Sequence, residues 1–364
     1  MLYPLVKIYF EYSLVIGITS QRLANRKFQS SLFSRVYALV ANIITLTMLP
    51  IAMWQVRLVF QARMKYPQLI LITYNVRYLV SYAVILYTVL SRGFRDTAFK
   101  EMQHLLQRLL AEEKRGAGIG CARKSLKVLL CVKFFTVTWL CLTEGIFLFY
   151  SLDVTSWKSI AKYIFMTNAW NILQMVPMGY FLAMWHIARG FDYVNKRMEK
   201  IIRSRSSRHL EEMQKLWLLH AGLTKTALRI NKIYGPQVLA SRFDNFIIGV
   251  VQAYWGTFFS FGMSTPIYWL VYGSVQYQIR SLDYYLIDYV ADLVVEYQGS
   301  AKHAWSEFRW TKEISSFSIY ANSSKLQLWT CGLFQVNRSM WFDMISSILY
   351  YILVLLQFHF VMEK

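Results

Sequence analysis

The sequence predicts an all-α membrane protein: seven transmembrane helices in a single domain over residues 1–364, with the N-terminus cytosolic and the C-terminus extracellular. Three observations carry this. The composition is 56% hydrophobic and 17% aromatic, a membrane-like balance. Seven stretches are apolar enough, or nearly so, to cross a bilayer, which takes about 20 helical residues at roughly 1.5 Å of rise each. Finally, the 40 Lys and Arg residues gather in every second interval between those stretches.

The stretches run from Val36 to Trp54, Leu69 to Leu90, Leu126 to Tyr150, Ala161 to Ile187, Phe243 to Gly262, Tyr284 to Gly299 and Met340 to Met362. Five basic residues precede the first, eight separate the second from the third, twelve the fourth from the fifth, and five the sixth from the seventh. The other intervals and the tail hold three, one, one and one, and four lie inside the stretches. Loops that stay in the cytosol collect Lys and Arg. Residues 1–35 are therefore expected in the cytosol, and residues 188–242 form the main cytosolic helical region. A G-protein-coupled receptor has the opposite orientation, and its usual marks, an acidic-Arg-Tyr triplet after the third span and Asn-Pro-x-x-Tyr in the seventh, are missing. No cleavable signal peptide is expected, because residues 1–35 mix charges with short apolar runs, so the first span serves as its own insertion signal.

A net charge of +20 would suggest nucleic acid in a soluble chain. Here the excess lies beside the inner leaflet, where anionic membrane lipid accounts for it, and no nucleic-acid partner is expected. Cys121, Cys131, Cys141 and Cys331 fall in the third span or on the cytosolic side, where thiols stay reduced, which argues against a disulfide framework. The sequons Asn322-Ser323-Ser324 and Asn337-Arg338-Ser339 fall in an interval placed inside and should be unmodified.

The sixth stretch is the weakest, broken by Asp288, Asp292 and Glu296 at i, i+4 spacing, which sets all three on one helical face. A carboxylate buried in a membrane costs about 2.5 to 3.5 kcal/mol on insertion scales, so this face looks onto water or onto basic partners. It either attracts cations along a permeation route, or pairs with Arg77, Lys127, Lys133 or Lys162 of other spans or simply reaches the cytosolic interface; pairing or an interfacial position is favoured over permeation. Arg77 in the second span and Glu144 in the third both fall in the outer half and are expected to pair.

Between the fourth and fifth spans, Leu210, Met213, Leu216, Leu219 and Leu223 recur at three or four residues, with Glu211, Glu212 and Lys215 between them, the pattern of an amphipathic helix. It either lies flat on the inner leaflet or continues the spans below the membrane and packs against neighbouring subunits. Residues 203–208, Arg-Ser-Arg-Ser-Ser-Arg, read as a break or loop, with phosphorylation as a minor alternative. No catalytic motif is found: there is no Gly-Lys-Ser phosphate loop, His-Glu-x-x-His pair or Gly-x-Ser-x-Gly elbow. Gly116-Ala117-Gly118-Ile119-Gly120 follows no strand and reads as a flexible linker. The six histidines form no close pair at metal-binding spacing. No enzymatic activity, metal or cofactor is expected.

The C-terminal quarter is the most specific. Residues 332–338, Gly-Leu-Phe-Gln-Val-Asn-Arg, lead into a final helix with Tyr351, five apolar residues from Ile352 to Leu356, and then Gln357-Phe358. This resembles the insect gustatory receptor family, whose last span carries Thr-Tyr, five hydrophobic residues and Gln-Phe; Tyr350 stands in place of the threonine. The resemblance implies a ligand-gated, non-selective cation channel, a tetramer with one central pore lined by helix seven. It implies a subunit that detects tastants, bitter or otherwise aversive, in the plasma membrane of gustatory receptor neurons, as a homotetramer or with other gustatory receptor subunits. An odorant-receptor-type channel subunit and a G-protein-independent accessory subunit of a heteromeric taste receptor are the alternatives; a transporter is disfavoured because the spans show no paired repeat. Carried over by position, Gln357 and Phe358 lie near the outer part of the pore, and Val354, one turn earlier, forms a hydrophobic constriction that stops ions by dewetting. Tyr351, Val354 and Phe358 are equally spaced for ordinary helix packing.

The resemblance also implies that the small-molecule tastant binds in the outer half of spans one to six. Candidates there are Tyr74, Asn75, Tyr78, Trp139, Asn168, Trp170, Asn171, Tyr254 and Trp255, a mixture suited to an apolar pocket with a few hydrogen-bonding groups. Trp and Tyr also collect at headgroup depth, so each has a competing interfacial role.

Overall fold

The computed structural model describes residues 2–24, 27–63, 68–115, 124–151, 156–203, 209–262, 267–306 and 325–362. Among these, helix α1 (Leu2–Val15) precedes an antiparallel ribbon of β1 (Arg22–Ala24) and β2 (Lys27–Gln29), in which Leu23 faces Phe28. The long helices follow: α2 (Leu32–Arg63), α3 (Gln68–Leu90), α4 (Arg92–Arg115), α5 (Lys124–Ser151), α6 (Trp157–Arg203), α7 (His209–Gly262) and α8 (Ile267–Ser306). A second ribbon, β3 (Trp329–Thr330) with β4 (Phe334–Gln335), leads into α9 (Arg338–Met362). Leu32–Trp54, Lys124–Ile146 and Arg338–Phe358 are the clearest membrane-length apolar segments, and Tyr78–Leu90 is a shorter one.

Length is the first clue to how the chain is built. Helices α6, α7 and α8 contain 47, 54 and 40 residues, and at 1.5 Å per residue even α8 is about 60 Å long, twice a hydrocarbon core of about 30 Å. All three extend well past the predicted spans, and their extensions pack on each other. Phe191, Val194 and Met198 of α6, Leu216, Leu223 and Ile230 of α7, and Val290 and Val294 of α8 are buried in one core. The amphipathic stretch is thus settled as the start of α7, continuous with the fifth span. Its apolar face is covered by α6 and α8 of the same chain, since Leu216, Leu219 and Leu223 are buried without any neighbouring subunit. Arg203 ends α6; residues 204–208, the predicted linker at Gly116–Gly120, and the Asn322 sequon lie outside the described residues.

The sixth stretch is the second half of α8, which begins at Ile267 rather than Tyr284. Cross-contacts set its level: Asn195 donates to the Tyr297 carbonyl at 2.8 Å and to Ser300 Oγ at 2.7 Å, and His220 lies 3.4 Å from the Gln298 carbonyl. Residues 297–300 therefore lie beside the 188–242 region.

The N-terminal segment is also more than a charged lead. Val6, Tyr9 and Phe10 of α1 are buried, the Tyr9 hydroxyl donates to the Met175 carbonyl at 3.2 Å, and Asn171 of α6 donates to the Tyr12 hydroxyl at 2.6 Å. Helix α1 thus docks beside the middle of the predicted fourth span. Its exit is fixed on α4 by Asp96, whose two oxygens accept from Thr19 Oγ1 at 2.7 Å and from Ser20 N and Oγ at 3.1 and 2.6 Å. A carboxylate so supplied with donors is satisfied while buried.

His220 makes this core acid-sensitive. It packs edge-on against Phe191, ring centres 4.9 Å apart, and burial pushes its imidazole down to about 4. Between that value and the ordinary one near 6.5 the unfolded chain binds a proton that the folded chain refuses, so stability rises with pH across this window and levels off above it. Melting in detergent should show a loss of roughly 2 kcal/mol from pH 7 to pH 5 through this group. His220→Leu should flatten that part of the profile; an unchanged profile would assign the acid sensitivity elsewhere.

Candidate functional site

The site is built around α9. Its lead-in is a hairpin in which Thr330 pairs with Phe334, so that residues 331–333 form the loop: Cys331 and Gly332 take φ of +52° and +74°, left-handed backbone that the tight reversal needs, and Leu333 N donates to the Thr330 carbonyl at 3.0 Å. Buried Leu326, Leu328 and Val336 anchor the ribbon, and Asn231 of α7 donates to the Trp329 carbonyl at 2.8 Å. Asn337 then caps α9, its Oδ1 accepting from Met340 N at 2.9 Å, which satisfies one of the free amides of the first turn. The second sequon asparagine is thus a helix cap.

The N-terminal end of α9 is fixed by charge. Arg338 pairs with Asp292 and sits 5.4 Å over the Tyr289 ring. Arg242 pairs with Asp288 and donates to Met340 Sδ at 2.9 Å. Two of the three sixth-stretch carboxylates are therefore engaged in pairing, but their partners are Arg242 and Arg338 from the intervals expected in the cytosol rather than the basic residues of other spans. Glu296 is exposed one turn further on. Glu144 pairs at 2.6 Å with Arg280 of α8; the side chain of Arg77, its expected partner, lies outside those described. Of the spanning lysines, Lys133 pairs at 2.7 Å with Asp283, both almost wholly buried.

Above this root, α9 leans on α7 and α8 with one face. Trp341 donates to the Ser281 carbonyl at 3.0 Å, Ile348 is buried against Gly249, and Ile352 is buried. The Tyr351 ring meets Phe246 edge-on at 5.6 Å, so Tyr351 combines packing with exposure. Gln357 and Phe358 are exposed and Val354 is half-buried. Only 11% of Arg338–Phe358 is buried within this chain, against 28% and 39% for the corresponding segments of α2 and α5. Most of the α9 surface is left to lipid, solvent or another chain.

The candidate pocket residues divide by role. Asn168 donates to Thr45 Oγ1 at 3.0 Å and Asn171 to Tyr12, so both amides tie α6 to other helices. Tyr78 lies beside Tyr82, and Trp139 beside Phe135. Asn75, Trp170 and Tyr254 are half-buried; the side chains of Tyr74 and Trp255 lie outside those described. Sequence reasoning missed a polar group in the contact of α5 with α8. There Tyr272 donates to the Thr143 carbonyl at 3.3 Å and receives a bond from Gln276 at 3.0 Å, beside the Glu144–Arg280 pair. Among the described residues Trp139 Nε1 and Gln276 Oε1 are buried with no hydrogen-bond partner, the kind of polar atom a ligand can satisfy. The spacing of Trp139 and Thr143, four residues apart on one face, was the available signal.

A family model described as 7tm chemosensory receptor matches residues 6–362. The chain belongs to that family. A Drosophila erecta protein named as gustatory receptor 59b is 65% identical over 280 residues, covering 76% of this chain and 48% of that protein, so the chain matches about half the length of this curated relative. The insect olfactory receptor OR5 from Machilis hrabei superposes with a TM-score of 0.67 at 17% identity, over 98% of both chains. The same receptor in complex with eugenol superposes with a TM-score of 0.62 at 16% identity, over 98% of this chain and 99% of that one. This chemosensory receptor thus has the seven-helix fold of an insect olfactory receptor, and it is a membrane protein rather than an enzyme.

Proposed function

We propose that this receptor is a subunit of a ligand-gated, non-selective cation channel that detects small-molecule tastants, bitter or otherwise aversive, in the plasma membrane of gustatory receptor neurons. Four subunits, of this chain alone or with other gustatory receptor chains, surround an axis lined by α9. The observation that carries this reading is α9 itself: a membrane-length helix, barely covered by its own subunit, that nevertheless exposes Gln357, Tyr350 and serines. Lipid does not reward such a helix, whereas an axis shared by four copies does.

The segregation of Lys and Arg supports a cytosolic N-terminus and an extracellular C-terminus. In that orientation the first half of α8, from Ile267, makes the sixth crossing, and its second half joins α6 and α7 in a cytosolic bundle. Gln357 and Phe358 stand in the outer part of the pore, and Val354 forms the constriction. The tastant binds in the outer half of the remaining helices, among the half-buried candidates and the Trp139, Tyr272 and Gln276 group. A ligand opens the pore only by binding the open arrangement better than the closed one.

The experiment is surface labelling of a C-terminal epitope on unpermeabilised cells, paired with whole-cell current against a tastant panel. Labelling with evoked cation current independent of G proteins supports the reading; intracellular confinement of the epitope on a surface-resident protein sinks it. Val354→Ser should raise basal current, since one hydroxyl per subunit wets a narrow apolar ring. Unchanged basal current in a well-expressed variant would remove Val354 from the gate.

A further inference from the structure

The exposed surface of α9 has two sides of different chemistry. At about 100° of rotation per residue, Phe342, Leu349 and Leu353 share one side, 58%, 58% and 60% exposed and wholly apolar. Asp343, Ser347, Tyr350, Val354 and Gln357, spaced four, three, four and three residues apart, share another, and four of these five are polar. Both sides lie away from Ile348 and Ile352, which pack inward.

We infer that the Asp343 side faces the axis and that the four Asp343 carboxylates form a cation-gathering ring at the inner end of the pore. This rests on the channel reading above. Asp343 sits five residues above Arg338 and one residue before Met344, which touches Asn245 of α7, so it stands at the inner end of the crossing. The two cations at the root of α9 cannot neutralise it, because Arg338 is held by Asp292 and Arg242 by Asp288. Among the described residues no basic side chain pairs with Asp343. Turned to hydrocarbon, an unpaired carboxylate is expelled; turned to a water-filled axis, four of them concentrate cations and repel anions. The apolar side of α9 then meets lipid or the neighbouring subunit.

The test uses the full-length chain with its four native cysteines changed to serine and single cysteines placed along residues 339–358. Oxidation in intact membranes is read as copy-to-copy cross-links on non-reducing gels. Cross-linking that peaks at 343, 347, 350, 354 and 357 and is silent at 348 and 352 supports the inference. A peak at 342, 349 and 353 overturns the face while leaving α9 on an axis. No cross-link at any position in surface-resident protein overturns the channel reading with it. In the same system Asp343→Asn should lower unitary cation conductance roughly threefold at low salt and less at physiological salt, as screening requires. Unchanged conductance with the expected cross-links would deny Asp343 its role as a ring.

Discussion

Lys133→Met is expected to remove most of the receptor from the cell surface, and Asp283→Leu to do the same, whereas the double variant should return much of it. Lys133 Nζ lies 2.7 Å from Asp283 Oδ2 and 3.0 Å from the Asp283 carbonyl, and Thr136 Oγ1 donates to Asp283 Oδ1 at 2.6 Å. Lys133 is 0% exposed and Asp283 2%. Removing one member leaves the other charged and without its counter-ion, at a cost of about 3 to 5 kcal/mol. Measured against a whole stability of roughly 5 to 15 kcal/mol, this is enough to unfold much of the population. Replacing both removes the Coulomb attraction and the two desolvation penalties together, and such exchanges are often neutral. The surroundings suit the exchange: Phe181 lies 5.7 Å below Lys133 Nζ and can pack a methionine, while the Thr136 hydroxyl keeps the Lys133 carbonyl at 3.0 Å. Thermal melting in detergent and surface labelling should rank wild type and double variant above both singles. A double variant no better than Lys133→Met alone would show that the pair has a role beyond mutual neutralisation.

Lys133 and Asp283 also show why part of this molecule was legible in the sequence and part was not. Hydropathy reads one helix at a time. It succeeded where a helix is apolar along its length, and α2, α3, α5 and α9 overlie the first, second, third and seventh stretches. The sixth stretch covers only part of α8, because Arg280 and Asp283 interrupt the first half of that helix. Those charges are matched by Glu144 and Lys133, more than a hundred residues away, and only folding brings them together. Helix α1 escaped for a different reason: 14 residues are too few for a span, and its burial depends on Met175 and Asn171 of α6. The amphipathic face of Leu216, Leu219 and Leu223 was visible as a period, but a period does not name the surface that covers it.

The candidate site shows the same division. The spacing of Tyr351, Gln357 and Phe358 could be read directly, whereas the face of α9 that stays exposed follows from its contacts with α7 and α8. Asn168 and Asn171 have the chemistry of a pocket, and each also donates from its Nδ2 to another helix, a role that spacing does not reveal.

Those contacts with α7 lead to a second large effect, at Gly249. A Cβ there would lie 2.8 Å from Ile348 Cδ1 and 3.2 Å from Tyr277 Cε2. Glycine allows α7 and α9 to approach closely, as small residues do between membrane helices. Gly249→Ala should be mild, because Ile348 Cδ1 is the free end of a flexible side chain. Gly249→Leu adds three more carbons to a filled contact, and overpacking of that kind costs about 1 to 3 kcal/mol. The strain is relieved most directly by moving α9 away from α7. Since the packed face is opposite the proposed axis, that movement should narrow the proposed constriction at Val354. Evoked current per surface receptor should then fall about tenfold, the effect of 1.4 kcal/mol on an opening equilibrium. Ile348→Ala in the Gly249→Leu background returns the lost space and should recover both melting temperature and current, and a double-mutant cycle measures how far the two positions share one contact. Recovery of stability without recovery of current would separate α9 packing from gating, and would place the coupling between ligand and pore on α8 instead, through the Asp288 and Asp292 pairs.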